Sequence, residues 1–116
     1  MEPRDARILR RITAEIRIMF EMTGGLDFEA FSTDEKIKRA VCMTLINIGE
    51  WVKGLSDALK ERHPSIPWRA IAGLRDIVVH KYQTLKMEDV WATVKNDIAP
   101  LYREIMGMID SCTIDE

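Results

Sequence analysis

Val41-Cys42-Met43-Thr44-Leu45-Ile46-Asn47-Ile48-Gly49-Glu50-Trp51-Val52 is the stretch on which the fold turns. Val41, Leu45, Ile48 and Val52 recur at steps of three and four, and Leu55 and Leu59 continue the series, which is the period of one face of an α-helix. Cys42, Met43, Ile46 and Trp51 widen the apolar sector until the middle of this helix reads as buried on most sides, so it is predicted to be the central element. Upstream, Ser32 stands three residues before Glu35, an arrangement in which each side chain satisfies the other's orphan amide, and the central helix is predicted to start there. Before it, Ile8, Ile12, Ile16, Met19 and Phe20 mark an amphipathic helix from Asp5 to Met22, stopped by Gly24-Gly25.

Downstream, His63-Pro64-Ser65-Ile66-Pro67 breaks the pattern, because proline removes an amide donor and drives the preceding residue toward extended geometry. Pro67 suits the first turn of a third helix running to Tyr82. After Gln83-Thr84-Leu85, helical spacing returns from Met87 to Ile109, with Pro100 inside it expected to kink or divide the run. Four main helices with short connections predict an all-α, up-down bundle, and the absence of any linker-like tract predicts one domain over residues 1–116.

The 116 residues are 47% hydrophobic and 31% charged, which excludes a disordered tail or a disulfide-stapled mini-protein. The longest uncharged stretch, Ala40 to Gly49, is about half of what a bilayer crossing needs. No membrane contact is expected. The arginine-rich start has no apolar run before a cleavage site, so a cytoplasmic protein is expected. Cys42 and Cys112 need not be bonded in a reducing compartment, and no paired Cys or His spacing suggests a metal, so neither metal nor cofactor is expected. The net charge of −2 argues against bulk electrostatic binding of nucleic acid; any polyanion must meet a local patch.

Chemistry concentrates in Gly73-Leu74-Arg75-Asp76-Ile77-Val78-Val79-His80-Lys81-Tyr82. On a helix with Arg75 at zero, Ile71, Val78 and Tyr82 fall within about 60° on one side and Ala72 and Val79 within about 60° on the other. A guanidinium that cannot shed its charge is thus set in an apolar sector, which is costly unless a carboxylate or another anion meets it. Asp76 and His80, four apart, lie beside that sector at about 100° and 140°.

Arg75, four further residues, His80, one residue, then Tyr82 resembles the R-x4-H-x-Y signature of HepT-type toxins in the HEPN superfamily of ribonucleases. Ile48-Gly49-Glu50, Ile66-Pro67-Trp68-Arg69, Ile71-Ala72-Gly73-Leu74-Arg75 and Val90-Trp91 follow the family in the same order, and the resemblance runs from Ile8 to Ile109. It implies a HEPN-like, dimeric bundle acting as a metal-independent endoribonuclease toxin. Two motif helices would line one cleft, and a nucleotidyltransferase-fold antitoxin would neutralise the enzyme. RNA supplies its own nucleophile, the 2′-hydroxyl. His80 titrates in the range of a general base or acid. Arg75 offers donors to non-bridging phosphate oxygens, and Asp76 is placed to hold the imidazole in one tautomer. The expected products are a 2′,3′-cyclic phosphate and a 5′-hydroxyl. By the same resemblance Tyr82 is the acceptor of AMP from the antitoxin; read from its residue type alone it is equally a core or interface tyrosine with its hydroxyl tied to backbone. A rival reading is a non-catalytic partner that presents nucleotide or substrate to a nucleotidyltransferase.

Other residues leave alternatives open. Lys81 and Arg69 flank the motif and are candidates for touching substrate phosphate. Glu50 either pairs with Arg75 or is covered by Lys53. Arg4, Arg7, Arg10, Arg11 and Arg17 fit a track for an RNA backbone or an ordinary solvated face. Trp51, Trp68 and Trp91 read as core, with Trp68 also placed to shape a cleft edge, and Gly73 reads as a close backbone contact.

Overall fold

The computed structural model describes residues 1–111, all of whose regular structure is helical. Cys112 lies outside the described residues. The first helix, α1 (Pro3–Thr23), closes on Gly24, and Gly25 takes the positive φ of +80° that the turn requires.

The Ser32 cap is not used. Ser32 ends a one-and-a-half-turn helix, α2 (Phe28–Ser32), which Asp27 opens by accepting from the Ala30 amide. Asp34 caps the central helix α3 (Glu35–Lys53) instead, accepting from the Ile37 amide at 3.0 Å. Aspartate is as good a cap as serine, and α2 exists because Phe31 has a buried place to go, packed on Trp91 with ring centroids 4.9 Å apart.

Nor does the central helix run on to Leu59. It stops at Gly54, and a separate short helix α4 (Asp57–Arg62) carries Leu59 into the core. A buried carboxylate makes the break. Asp5, 1% exposed, accepts from the Ser56 amide at 2.9 Å and from its hydroxyl at 2.6 Å, while Ser56 Oγ in turn accepts from the Leu59 amide. The start of α1 thereby satisfies the backbone donors that the interrupted helix frees.

The third long helix, α5 (Trp68–Lys81), is one residue shorter at each end than expected: Pro67 stands at its N-cap and not in its first turn, and Tyr82 opens a 3-10 turn (Tyr82–Thr84). Pro100 divides the last run as expected. α6 (Met87–Thr93) passes through a π-helical stretch (Val94–Ile98) into α7 (Ala99–Ser111). The wide turn is closed by the Ala99 amide donating to Val94, five residues back, where the missing amide of Pro100 interrupts the ordinary ladder.

Helix α3 is the hub. Taking Glu50 as the reference on its wheel, Asn47 and Trp51 lie about 60° and 100° to one side and meet α1, through Asn47 Nδ2 to Glu15 at 2.7 Å and Arg11 over the Trp51 ring. Gly49 and Lys53 lie about 100° and 60° to the other side and meet α5. Val41, Leu45, Ile48 and Val52 point inward. The predicted burial holds on most sides, but Met43 and Trp51, expected to widen the buried sector, are exposed. Between α1 and α5, α3 shows solvent a ridge on which Met43 is 56% exposed, with Arg39 and Glu50 also exposed.

Candidate functional site

Helices α3 and α5 are antiparallel, and their closest approach is at Gly49. A Cβ built there would stand 3.0 Å from the Ala72 carbonyl oxygen, 3.0 Å from the Arg75 amide and 3.1 Å from Arg75 Cβ. The close backbone contact is thus at Gly49 and not at Gly73, where a Cβ would meet nothing within 4 Å. By letting α5 come this near, Gly49 sets Arg75 against its own successor, Glu50.

Arg75 sits at the edge of the buried sector of α5, its side chain 36% exposed, because Ile71 and Val78 turn inward while Val79 stays in solvent at 45%. Its charge is met as an isolated guanidinium requires. Nε forms an ion pair with Glu50 Oε1 at 3.0 Å and Nη1 donates to Asp76 Oδ1 at 3.0 Å. Lys53 completes the group, 3.4 Å from Glu50 and 3.9 Å from Asp76. Both alternatives for Glu50 are realised at once. The sequence left Glu50 open between the two, and it joins the site because it directly follows the glycine at which α5 meets α3.

Asp76 does not hold the imidazole here. The Arg75 hydrogen bond, then the charges of Lys53, Arg75 and His80, hold its carboxyl below the usual carboxylate range. His80, one turn on, is exposed and makes no hydrogen bond among the described residues, acting on Asp76 through space alone. Arg69, seven residues before Asp76, lies on the same exposed face of α5, whereas Lys81 is turned about 100° from His80.

Tyr82 lies seven residues beyond Arg75 and, like it, meets α3. It is half-buried under the Arg39 guanidinium (5.9 Å to the ring centroid), in a groove of about 280 Å³ shared with Glu35, Lys38 and Gln83. Its hydroxyl has no hydrogen-bond partner among the described residues, so a backbone tie does not explain it. Of the tryptophans, Trp68 is buried with its indole N–H donated to the His63 carbonyl, and Trp91 packs on Phe31; Trp51 is 37% exposed and is not core.

A cation held at two corners, with a third nitrogen and an exposed imidazole on the same helix, is equipped to grip a phosphodiester and move a proton beside it. No group of three or more His, Cys, Asp or Glu side chains suited to a metal ion occurs among the described residues, and no helix among them is long and apolar enough to cross a membrane.

Comparison with known proteins gives the same direction. Residues 12–108 match the family described as ribonuclease HepT-like. The chain is 39% identical over 93 residues to "Probable ribonuclease HepT" of Thermococcus cleftensis, covering 80% of this chain and 84% of that protein. It is 34% identical over 101 residues to "Putative RNase TTE0752" of Caldanaerobacter subterraneus subsp. tengcongensis, covering 87% and 90%. With "Putative RNase MJ0127" of Methanocaldococcus jannaschii it shares 32% identity over 110 residues, covering 94% and 91%. No solved structure matches.

Proposed function

The chain belongs to the HepT-like ribonuclease family, and from that premise we propose that it is a metal-independent endoribonuclease, the toxin of a toxin–antitoxin pair, that cuts RNA in a cleft between two protomers. The observation that carries this reading is the cluster on α5: Arg75 anchored by Glu50 and Asp76, with His80 free and exposed one turn away.

In the proposed reaction the 2′-oxygen attacks the adjacent phosphorus as one His80 ring takes its proton. The bond to the 5′-oxygen breaks, and that oxygen receives a proton from the corresponding ring of the second protomer, leaving a 2′,3′-cyclic phosphate and a 5′-hydroxyl. Charge grows on the non-bridging oxygens meanwhile, and the unengaged donors of Arg75 are the groups to meet it. Asp76 is a positioning residue: its hydrogen bond tethers Arg75, and it reaches His80 through space alone. Arg69, on the same face, takes a flanking phosphate, and Lys81 reaches one from the far edge.

An exposed apolar band favours a homodimer across this face. The pairs Arg11 with Trp51 and Glu15 with Asn47 fix the register of α1 on α3, and Glu50 with Arg75 and Arg39 with Tyr82 fix that of α5. By that register Ile18, Met43 and Val79, exposed by 47%, 56% and 45%, fall at one level across three helices, beside the Arg75 cluster. Such an apolar band invites cover by a second copy. Tyr82, half-buried beneath Arg39 with an unengaged hydroxyl, is suited to accept AMP from a nucleotidyltransferase antitoxin.

The test is direct. The purified protein, incubated with RNA in chelator, should yield cyclic-phosphate ends, and His80→Ala should abolish them while the variant stays folded and dimeric by sedimentation. Nucleotide binding without cleavage would return the protein to the non-catalytic reading.

A further inference from the structure

A second concentration of charge lies beside the cluster, on the α1 side of the ridge. A pocket of about 270 Å³ is lined by Arg4, Arg7, Ile8, Arg11 and Trp51, without a carboxylate. Arg11 holds its guanidinium over the Trp51 ring, 5.6 Å from the centroid, and none of the three arginines makes an ion pair among the described residues. The remaining arginines of α1 differ: Arg17, for example, donates to the Tyr102 hydroxyl.

This is an unusual surface for a chain whose net charge is −2. Three like charges on one side of one helix repel one another, and a large aromatic ring more than a third exposed gives up part of the burial it could have. Both costs are relieved by one kind of ligand, a flat π-system joined to anions. Single-stranded nucleic acid is recognised through cationic grooves and aromatic platforms of this kind. The pocket also stands next to the proposed cleft along α3, because Trp51 follows Glu50 and Glu50 pairs with Arg75.

We propose that this pocket is a subsite for single-stranded RNA, holding a nucleotide that flanks the scissile bond, with its base stacked on Trp51 beneath Arg11 and its phosphates on Arg4 and Arg7. The proposal rests on the ribonuclease reading and extends it. It assigns substrate grip to α1, a helix that contributes nothing to the chemical step.

The experiment measures binding apart from cutting, using a labelled 2′-O-methyl oligonucleotide, which has no nucleophilic hydroxyl, in fluorescence anisotropy over a series of salt concentrations. Arg4→Gln with Arg7→Gln should weaken binding about tenfold and lower the slope of log affinity against log salt by about 1.4, roughly 0.7 for each phosphate left without its arginine. Trp51→Ala should weaken it about ten- to a hundredfold and Trp51→Phe should restore most of the loss. Arg103→Gln on α7 serves as the charge control and should change neither quantity. Wild-type affinity and slope in the double variant, or in Trp51→Ala, overturn the subsite while leaving the ribonuclease reading intact if the parent still cuts RNA. A parent that neither binds the oligonucleotide nor cuts RNA sinks both.

Discussion

Gly49→Ala is the substitution that ties packing to activity most directly. The added methyl would sit 3.0 Å from two atoms of the α5 backbone and 3.1 Å from Arg75 Cβ, all tighter than ordinary contacts, so α5 must retreat by a few tenths of an ångström. Overpacking of this kind costs about 1–3 kcal/mol. Alanine in mid-helix recovers about 1 kcal/mol over glycine, so the net loss is about 1 kcal/mol, with a fall in Tm of about 4 °C. The functional effect should exceed the thermal one, because the retreat carries Arg75 away from Glu50. Where a displacement of about 1 Å costs a hundredfold, a few tenths should cost roughly three- to tenfold in kcat/KM. Gly73→Ala, on α5 itself with open space around its Cβ, supplies the contrast and should stabilise by about 0.5–1 kcal/mol. Urea unfolding of both variants, with cleavage kinetics for Gly49→Ala, decides the matter. If Gly49→Ala is as stable as Gly73→Ala and cuts RNA at the parental rate, the α3–α5 contact does not position Arg75.

Asp5→Ala should lose about 2–3 kcal/mol in urea unfolding, since it strands the Ser56 amide and hydroxyl that a buried carboxylate now satisfies. Phe31→Ala empties a fully buried site beneath Trp91 and should cost about 3–5 kcal/mol, read as a collapse of the thermal transition. The Asp76 carboxyl, followed by carbon NMR, should titrate below the ordinary carboxylate range and rise toward it in Arg75→Ala. Because its folded pKa is depressed, the pairing is intact above the ordinary carboxylate range and is lost as pH falls through the lower folded value. Burial pushes the Cys42 thiol up, so peptide mapping after alkylation at mildly alkaline pH should find Cys42 unmodified until denaturant is added.

Where one residue type decided a feature, the sequence was readable. Gly24-Gly25, Pro67 and Pro100 punctuate the chain where expected, and the inward stripe of the central helix was read correctly from its spacing. What escaped depended on partners far along the chain. The break after Lys53 exists because Asp5, about fifty positions away, serves Ser56, and the use of Asp34 over Ser32 as a cap follows from Phe31 finding Trp91. The same holds for the site. Arg75 was legible as a charge in need of a counter-ion and Glu50 as one candidate for it, and the contact at Gly49 that lets two helices meet decides the pairing. Asp76 was assigned to His80 on spacing, but its neighbour Arg75 is the nearer cation and claims the carboxylate. Trp51 resembled core by period and is exposed because α3 keeps one side uncovered.

Gly49, Glu50 and Trp51 are consecutive, so three duties fall on one turn of α3: contact with α5, anchorage of Arg75, and the floor of the arginine pocket. Each step along the turn swings the direction by about 100°. A single-residue insertion or deletion between Asp34 and Gly49 would therefore hand every duty to the wrong neighbour, even if the helix survived. Substitutions elsewhere on the ridge would alter one property at a time. This segment can change its lettering far more freely than its length, and drift by indel should be confined to the loops at either end.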